Sequence, residues 1–157
     1  MNMKPKIFLG TDHAGFELKE NIKKHLQSIG FDVEDCGAFS YNVEDDYPEF
    51  ILKAAKKVAS AKNSRGIIFG GSGQGEAIVA NKVKGIRAAV FYGDNLDIVK
   101  LSRTHNDSNI LSIGARFVSM KKAAEAVNLW LEAGFGNEGR HIRRIKQIAG
   151  IEKKSFR

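Results

Sequence analysis

Short apolar runs alternate with amphipathic stretches along the whole 157-residue chain. That alternation limits the fold more than any single motif does. Lys6–Thr11 (KIFLGT), Phe31–Cys36, Arg65–Phe69, Arg87–Tyr92 and Ile110–Ile113 read as strands. Between them, Phe16–Ile29 reads as a helix with Leu18, Ile22, Leu26 and Ile29 on one stripe and Gly30 as its stop. Pro48 opens a helix to about Lys62, as proline at a first helical position does. Further helices are predicted over Glu76–Val83, from an Asp94 cap to Thr104, and from a Ser119 cap to Ala133. Gly134–Gly139 is a joint before a last helix. Strands that alternate with helices imply a parallel sheet covered on both faces. The expectation is α/β: a single domain over 1–157, a three-layer α/β/α sandwich, Rossmann-like or flavodoxin-like, with a five-stranded parallel sheet and a C-terminal helix. Strand order stays open.

In such sheets ligands collect beyond the carboxyl ends of the strands. Strand one is followed by Asp12 and His13, strand three by GGSGQGE, and strand five by Gly114-Ala115-Arg116. The helix after strand four ends at Arg103-Thr104-His105-Asn106. Two acids, two histidines and an arginine are therefore expected near one rim.

The glycine loop Gly70–Glu76 fits neither familiar phosphate loop. A dinucleotide GxGxxG started at Gly71 would need glycine where Glu76 stands. A Walker loop has the right spacing at Gly70 and Gly75, but needs Lys at 76 and Ser or Thr at 77, where the chain has Glu76 and Ala77. What remains is a tight turn whose backbone N–H groups point into one cavity at a helix start, a cradle for a developing oxyanion. A carboxylate in the first turn of that helix then stands beside the oxyanion. A base and oxyanion donors together suit proton abstraction from carbon next to a carbonyl. The alternative reading of Glu76 is an acid placed to favour a helix N-terminus.

Composition narrows the partners. The net charge of +7 is concentrated in the tail from Arg140, which has seven Lys or Arg against one Glu and leaves the rest near neutral. Arg140 and Arg144 share a helix face, suited to a phosphate monoester, or to a solvated basic face. One cysteine allows no internal disulfide and fits a reducing cytoplasm. Cys36 reads as a small packing residue, His25 as structural and Trp130 as core. No apolar run approaches the roughly 20 residues of a membrane span, and Ile7-Phe8-Leu9 is too short for a signal peptide. Four histidines without paired cysteines or close acidic spacing make no recognisable metal set.

Several of these stretches together resemble the family of ribose-5-phosphate isomerase B and the galactose-6-phosphate isomerase subunits. They are Gly10-Thr11-Asp12-His13-Ala14-Gly15, Asp46-Tyr47-Pro48, and Gly70–Glu76 continuing to Ala80-Asn81-Lys82. Gly85-Ile86-Arg87-Ala88, Arg103–Asp107, Gly114-Ala115-Arg116 and Gly139-Arg140-His141 with Arg144 follow in order. The resemblance implies an aldose–ketose isomerase without metal or cofactor, interconverting ribose 5-phosphate and ribulose 5-phosphate through an enediolate. Glu76 would move the proton between C1 and C2. Gly71, Ser72, Gly73, Gln74 and Gly75 would hold the enediolate oxygens. His105 would open the furanose ring, and Asn106 and Asp12 would orient hydroxyls. His13, Arg116, Arg140 and Arg144 would bind substrate, the arginines chiefly its phosphate, and Tyr47 would line the pocket. Sites at a subunit interface, in a homo-oligomer, are implied as well. One branch of the family places a cysteine base just before the loop; here that residue is Gly70, so the chain resembles the branch with a glutamate base. The rival readings are isomerisation of allose 6-phosphate or galactose 6-phosphate, and a nucleic-acid-binding module built on the basic tail, which no aromatic-interleaved basic stripe supports.

Overall fold

The computed structural model describes residues 3–155; Met1, Asn2, Phe156 and Arg157, at the two basic ends, lie outside the described residues. Each apolar run becomes a strand of one parallel sheet: β1 (Lys6–Thr11), β2 (Val33–Asp35), β3 (Ser64–Gly70), β4 (Ala88–Phe91) and β5 (Ile110–Gly114). Their order is β2-β1-β3-β5-β4. The chain steps outward from β1 to β2, then returns to the other side of β1 with β3, so the order reverses between β1 and β3. The helices are α1 (Phe16–Ser28), α2 (Tyr47–Ser60), α3 (Gln74–Ala80), α4 (Asp97–Thr104), α5 (Met120–Glu132) and α6 (Gly139–Ser155).

The period of two along the strands sorts side chains into two cores. Ile7, Leu9, Ile67, Phe69, Leu111 and Ile113 face α1, α4 and α5, meeting Leu18, Ile22, Val99, Val127 and Trp130. Phe8, Ile68 and Ile110 face α2 and α3, meeting Ile51, Ala54, Ala55, Val58 and Ala80. Each fully buried large apolar side chain contributes about 2 kcal/mol. Trp130 carries a polar atom into its core, and its indole N–H donates to Ser108 Oγ at 2.8 Å. Cys36 is buried in the second core, and burial pushes its thiol up, away from thiolate chemistry.

Local differences from the expected elements have local causes. β2 is shorter than Phe31–Cys36 because it pairs with β1 over three residues only. Asp94 does not cap α4; Asn95 Oδ1 accepts the N–H of Asp97 at 2.9 Å instead. Ser119 does cap α5, accepting from Lys122 N at 3.1 Å. α3 starts earlier than Glu76, behind Gly73 in a left-handed conformation with φ +79°, and stops at Ala80. Asn81 is drawn away to the sheet, where its amide donates to Ala88 O at 3.1 Å and accepts from Ala88 N at 2.8 Å. α6 stands outside the layers. Of its residues only His141 is buried, while Ile148 and Ile151 are exposed.

One buried cation steadies the loop between β2 and α2. Lys19, wholly inaccessible, donates to both carboxylate oxygens of Asp35 at 2.7 and 2.8 Å and to Ala38 O at 2.6 Å. Asp35 also takes Lys23 at 2.7 Å and the N–H of Gly37 at 2.9 Å. Burial alone would raise the Asp35 carboxyl; these donors outweigh it and hold it below the usual carboxylate range. Removing one member of such a buried group leaves the others without compensation. Lys19→Met should therefore cost about 3 kcal/mol in urea denaturation, well above the fraction of a kcal/mol expected for an exposed lysine.

Candidate active site

The carboxyl rim is assembled where β1, β3 and β5 end side by side. Thr11 Oγ1, at the last residue of β1, donates to Phe69 O at 3.0 Å and ties β1 to β3. Asp12 follows, nearly buried, with Oδ1 accepting the N–H of Ala14 at 3.0 Å. The glycine loop is pinned from the β5 side. Ala115 N donates to Gly70 O at 2.8 Å, Arg116 N to Gly71 O at 3.1 Å and Ser112 Oγ to Gly73 O at 2.7 Å. Within it, Ser72 Oγ accepts the N–H of Gln74 at 3.3 Å.

Glu76 folds back from the first turn of α3 onto the end of β3. It is 4% exposed, and a Cβ at Gly70 would lie 1.8 Å from its Oε1. Residue 70 must therefore be glycine for this carboxylate to sit where it does. Burial pushes the Glu76 carboxyl up from its ordinary value; Asp12 adds to that, while backbone N–H groups of Glu76 and Gly73 oppose it. A buried carboxylate with a raised pKa at the rim of an α/β sheet is destabilising where it stands, and such groups cluster at functional sites.

Two rim neighbours close in on the loop. A Cβ at Gly75 would meet the Tyr47 hydroxyl at 2.6 Å, and one at Gly71 would stand 3.2 Å from Arg116 Nη1. So Tyr47 and Arg116 flank the glycine loop. His13 is held by Asp45, which the sequence reading missed: one oxygen, Oδ1, accepts both the backbone N–H of His13 at 3.0 Å and its Nδ1 at 2.7 Å. The signal available was the second acid in Asp45-Asp46-Tyr47-Pro48. Asp12, His13 and Asp45 bring one donor atom each within 4.8 Å of one another, a cluster not expected from the sequence. With both His13 N–H groups on Asp45 Oδ1, a histidine–carboxylate hydrogen bond accounts for that spacing.

His105 and Asn106 lie elsewhere, and for them the expectation of one shared rim is corrected; Arg140 and Arg144 stand on the last helix, as expected. Helices in this fold run back against the strands, so the end of α4 returns to the amino end of the sheet. Arg87, just before β4, donates through Nε to Asn106 O at 3.2 Å and Asp107 O at 3.0 Å, and Gly136 N reaches Thr104 O at 3.0 Å. His105 there stacks on His141, ring centroids 4.2 Å apart and planes 15° from parallel. Arg140 and Arg144 are exposed beside them on α6, and Arg140 Nε meets Glu138 Oε2 at 3.0 Å. From Ile110 to Gly114 four residue steps, about 13 Å of sheet, separate the two groups. The candidate residues thus fall in two groups: Asp12, His13, Tyr47, Gly71–Glu76 and Arg116 on one rim, His105, Asn106, Arg140 and Arg144 on the other.

A parallel sheet with its order reversal between β1 and β3, and a buried carboxylate against a glycine loop at that point, is the arrangement of an α/β enzyme with its site at the switch point. The family model described as ribose/galactose isomerase matches residues 7–148, and the chain belongs to that family. It is 41% identical over 148 residues to ribose-5-phosphate isomerase B of Mycolicibacterium paratuberculosis, covering 94% of this chain and 92% of that one. With ribose-5-phosphate isomerase B of Escherichia coli it shares 40% over 149 residues, 95% and 97% of the two chains. Among solved structures, ribose-5-phosphate isomerase B of Mycoplasma genitalium with bound ribulose-5-phosphate superposes with a TM-score of 0.92 at 37% identity, covering 98% and 100%. The Clostridium thermocellum ribose-5-phosphate isomerase B gives 0.89 at 45%, covering 95% and 98%.

Two outcomes follow from the Glu76–Gly70 contact. Gly70→Ala displaces only the far end of a flexible side chain, so melting temperature should change little while turnover falls about 100-fold or more. Glu76→Gln should raise the melting temperature at pH 7. The folded carboxyl binds its proton more tightly than the unfolded one, so its contribution to stability is full below the unfolded pKa and is lost as pH rises through the folded pKa. Calorimetry at pH 7 and near pH 4 should show the advantage of the variant shrinking at the lower pH.

Proposed function

We propose that the protein interconverts D-ribose 5-phosphate and D-ribulose 5-phosphate by moving a proton between C1 and C2 through an enediolate. The observation that carries this reading is the Glu76 carboxylate, buried against Gly70 beside a glycine loop and raised above its ordinary pKa. In the open-chain aldose, Glu76 takes the C2 proton, and the electron pair moves through the C1–C2 bond to the carbonyl oxygen. Ser72 Oγ and the backbone N–H groups of the Gly71–Gly75 loop other than those of Gly73 and Gln74 hold the developing negative charge. The proton on O2 passes to O1, and Glu76 returns the abstracted proton to C1 as the electron pair on O2 forms the C2 carbonyl. The step is redox-neutral, since no electrons leave the sugar, and it needs neither metal nor redox cofactor. Asp12 and Asn106 orient hydroxyls, Tyr47 lines the pocket, and His105 moves a proton between ring oxygen and anomeric hydroxyl to open the furanose. Arg116, Arg140, Arg144 and His13 hold the phosphate.

The two groups are half-sites that complete each other in a homodimer. One copy supplies the carboxyl rim and the other the amino rim with His105 and the arginines of α6, so each dimer holds two sites related by its two-fold axis. We place the enzyme in the cytoplasm and in the non-oxidative branch of the pentose phosphate pathway.

In D2O, ribose 5-phosphate should give ribulose 5-phosphate with deuterium at C1, and Glu76→Gln should lose turnover at least about 1000-fold. A retained rate in Glu76→Gln would remove the assigned base. The acid limb of kcat/KM should lie above the ordinary glutamate range, because the base acts ionised and its pKa is raised. The shared site is tested by mixing. Subunits carrying Glu76→Gln and subunits carrying His105→Ala, exchanged freely, should regain about a quarter of wild-type activity, since half of the dimers are mixed and each of those rebuilds one intact site. Activity in the mixture no greater than the average of the two variants would place each site within one chain.

A further inference from the structure

His141 has no part in the chemistry above, yet it is the one residue of α6 that is buried. It is 4% exposed, and its Nε2 is buried without a hydrogen-bond partner, with Glu138 Oε2 3.6 Å away. A polar ring in that condition contributes poorly to stability. It is not held there by a hydrogen-bond network; its flat face lies against His105 at 4.2 Å between centroids. His105 comes from the end of α4 and His141 from the first turn of α6, so the stack is also what joins those two elements at the amino rim.

We propose that His141 is a positioning residue for ring opening: its buried imidazole is the flat support that fixes the ring plane of His105 where the furanose must be opened. This rests on the ring-opening role of His105. A histidine at a helix end has free rotation about two bonds, and its nitrogens must face a ring oxygen and an anomeric hydroxyl within hydrogen-bond reach. Stacking removes that freedom without using either nitrogen. The support must also be uncharged, since a second positive ring 4.2 Å away would repel a protonated His105. The surroundings provide this. Burial lowers the His141 pKa, the charge of His105 lowers it further, and Arg140 and Arg144 on the same helix act in the same sense, against Glu138 alone.

The test compares two aldoses and three variants. Ribose 5-phosphate closes into a furanose, whereas a tetrose 4-phosphate has no free hydroxyl placed to close a five-membered ring. For each variant, kcat/KM relative to wild type is measured on both. His105→Ala is the reference, and should lose activity on ribose 5-phosphate but not on erythrose 4-phosphate. His141→Ala should show the same selectivity, about tenfold on ribose 5-phosphate and within about twofold on the tetrose. His141→Phe keeps a flat, uncharged ring and should recover most of that loss. Proton NMR gives a readout independent of turnover: the ring-current shift of the His105 imidazole protons should vanish in His141→Ala and persist in His141→Phe. Equal losses on both sugars in His141→Ala, with His105→Ala still selective, would overturn the proposal. So would a His141→Phe that keeps the ring-current shift but recovers nothing. If His105→Ala itself loses both sugars equally, the ring-opening role fails instead, and the NMR shifts still decide whether His141 supports the ring.

Discussion

The Glu76 carboxylate occupies the space that a side chain at residue 70 would take. Much of the carboxyl rim is arranged around that exchange. With Gly70 bare, α3 can begin directly behind the strand, its first turn can fold back over β3, and a charged group can be enclosed by backbone. The arrangement costs stability, because an ionised carboxylate is held away from water beside a second acid, Asp12. The clamps from Ala115, Arg116 and Ser112 onto Gly70, Gly71 and Gly73 keep the loop from relaxing away from it. A side chain at residue 70 and a glutamate folded onto residue 70 compete for one volume, so a chain can carry one or the other.

A parallel sheet has two chemically different ends, and the connections decide which residues reach which. Loops after strands fall at the carboxyl rim, and the ends of the returning helices fall at the amino rim. Glycines, acids and Arg116 gather at the first, and the arginines of α6 stand at the second. That division explains the concentration of basic charge at one end of the sequence. α6 starts at the amino rim and lies outside both layers, so its arginines are presented outward rather than folded over their own carboxyl rim.

Much of the fold was legible because burial is local and periodic. β1 spans Lys6–Thr11 as expected, Gly30 follows the end of α1 with φ +81°, and Ser119 caps α5. What was not legible depended on competition at a distance. Asp94 looked like a cap, but Asn95 made the bond. α3 ended early because Asn81 found partners seven residues on. In the site, the loop, Asp12 and Arg116 fall together as their places after strands required, and Tyr47 meets the loop from the start of α2. The placement of His105 and Asn106 on the same rim was an error of direction: a helix that returns between parallel strands must end at the opposite rim, whatever its last residues are. Asp45 and His141 were missed because their roles lie in what they touch, and neither His13 nor His105 announces its neighbour in the sequence.

The amide of Asn81 has a consequence beyond the end of α3. β4 is an edge strand, and Ala88 on its outer side has both its N–H and its C=O taken by that one side chain. A side-chain amide offers the same donor and acceptor as a peptide group. Asn81 therefore stands in for one residue of a sixth strand and occupies the first place where a foreign strand would begin to pair. That edge of the sheet is blocked at Ala88, and a chain that lost Asn81 would leave both backbone groups of that residue open to pairing.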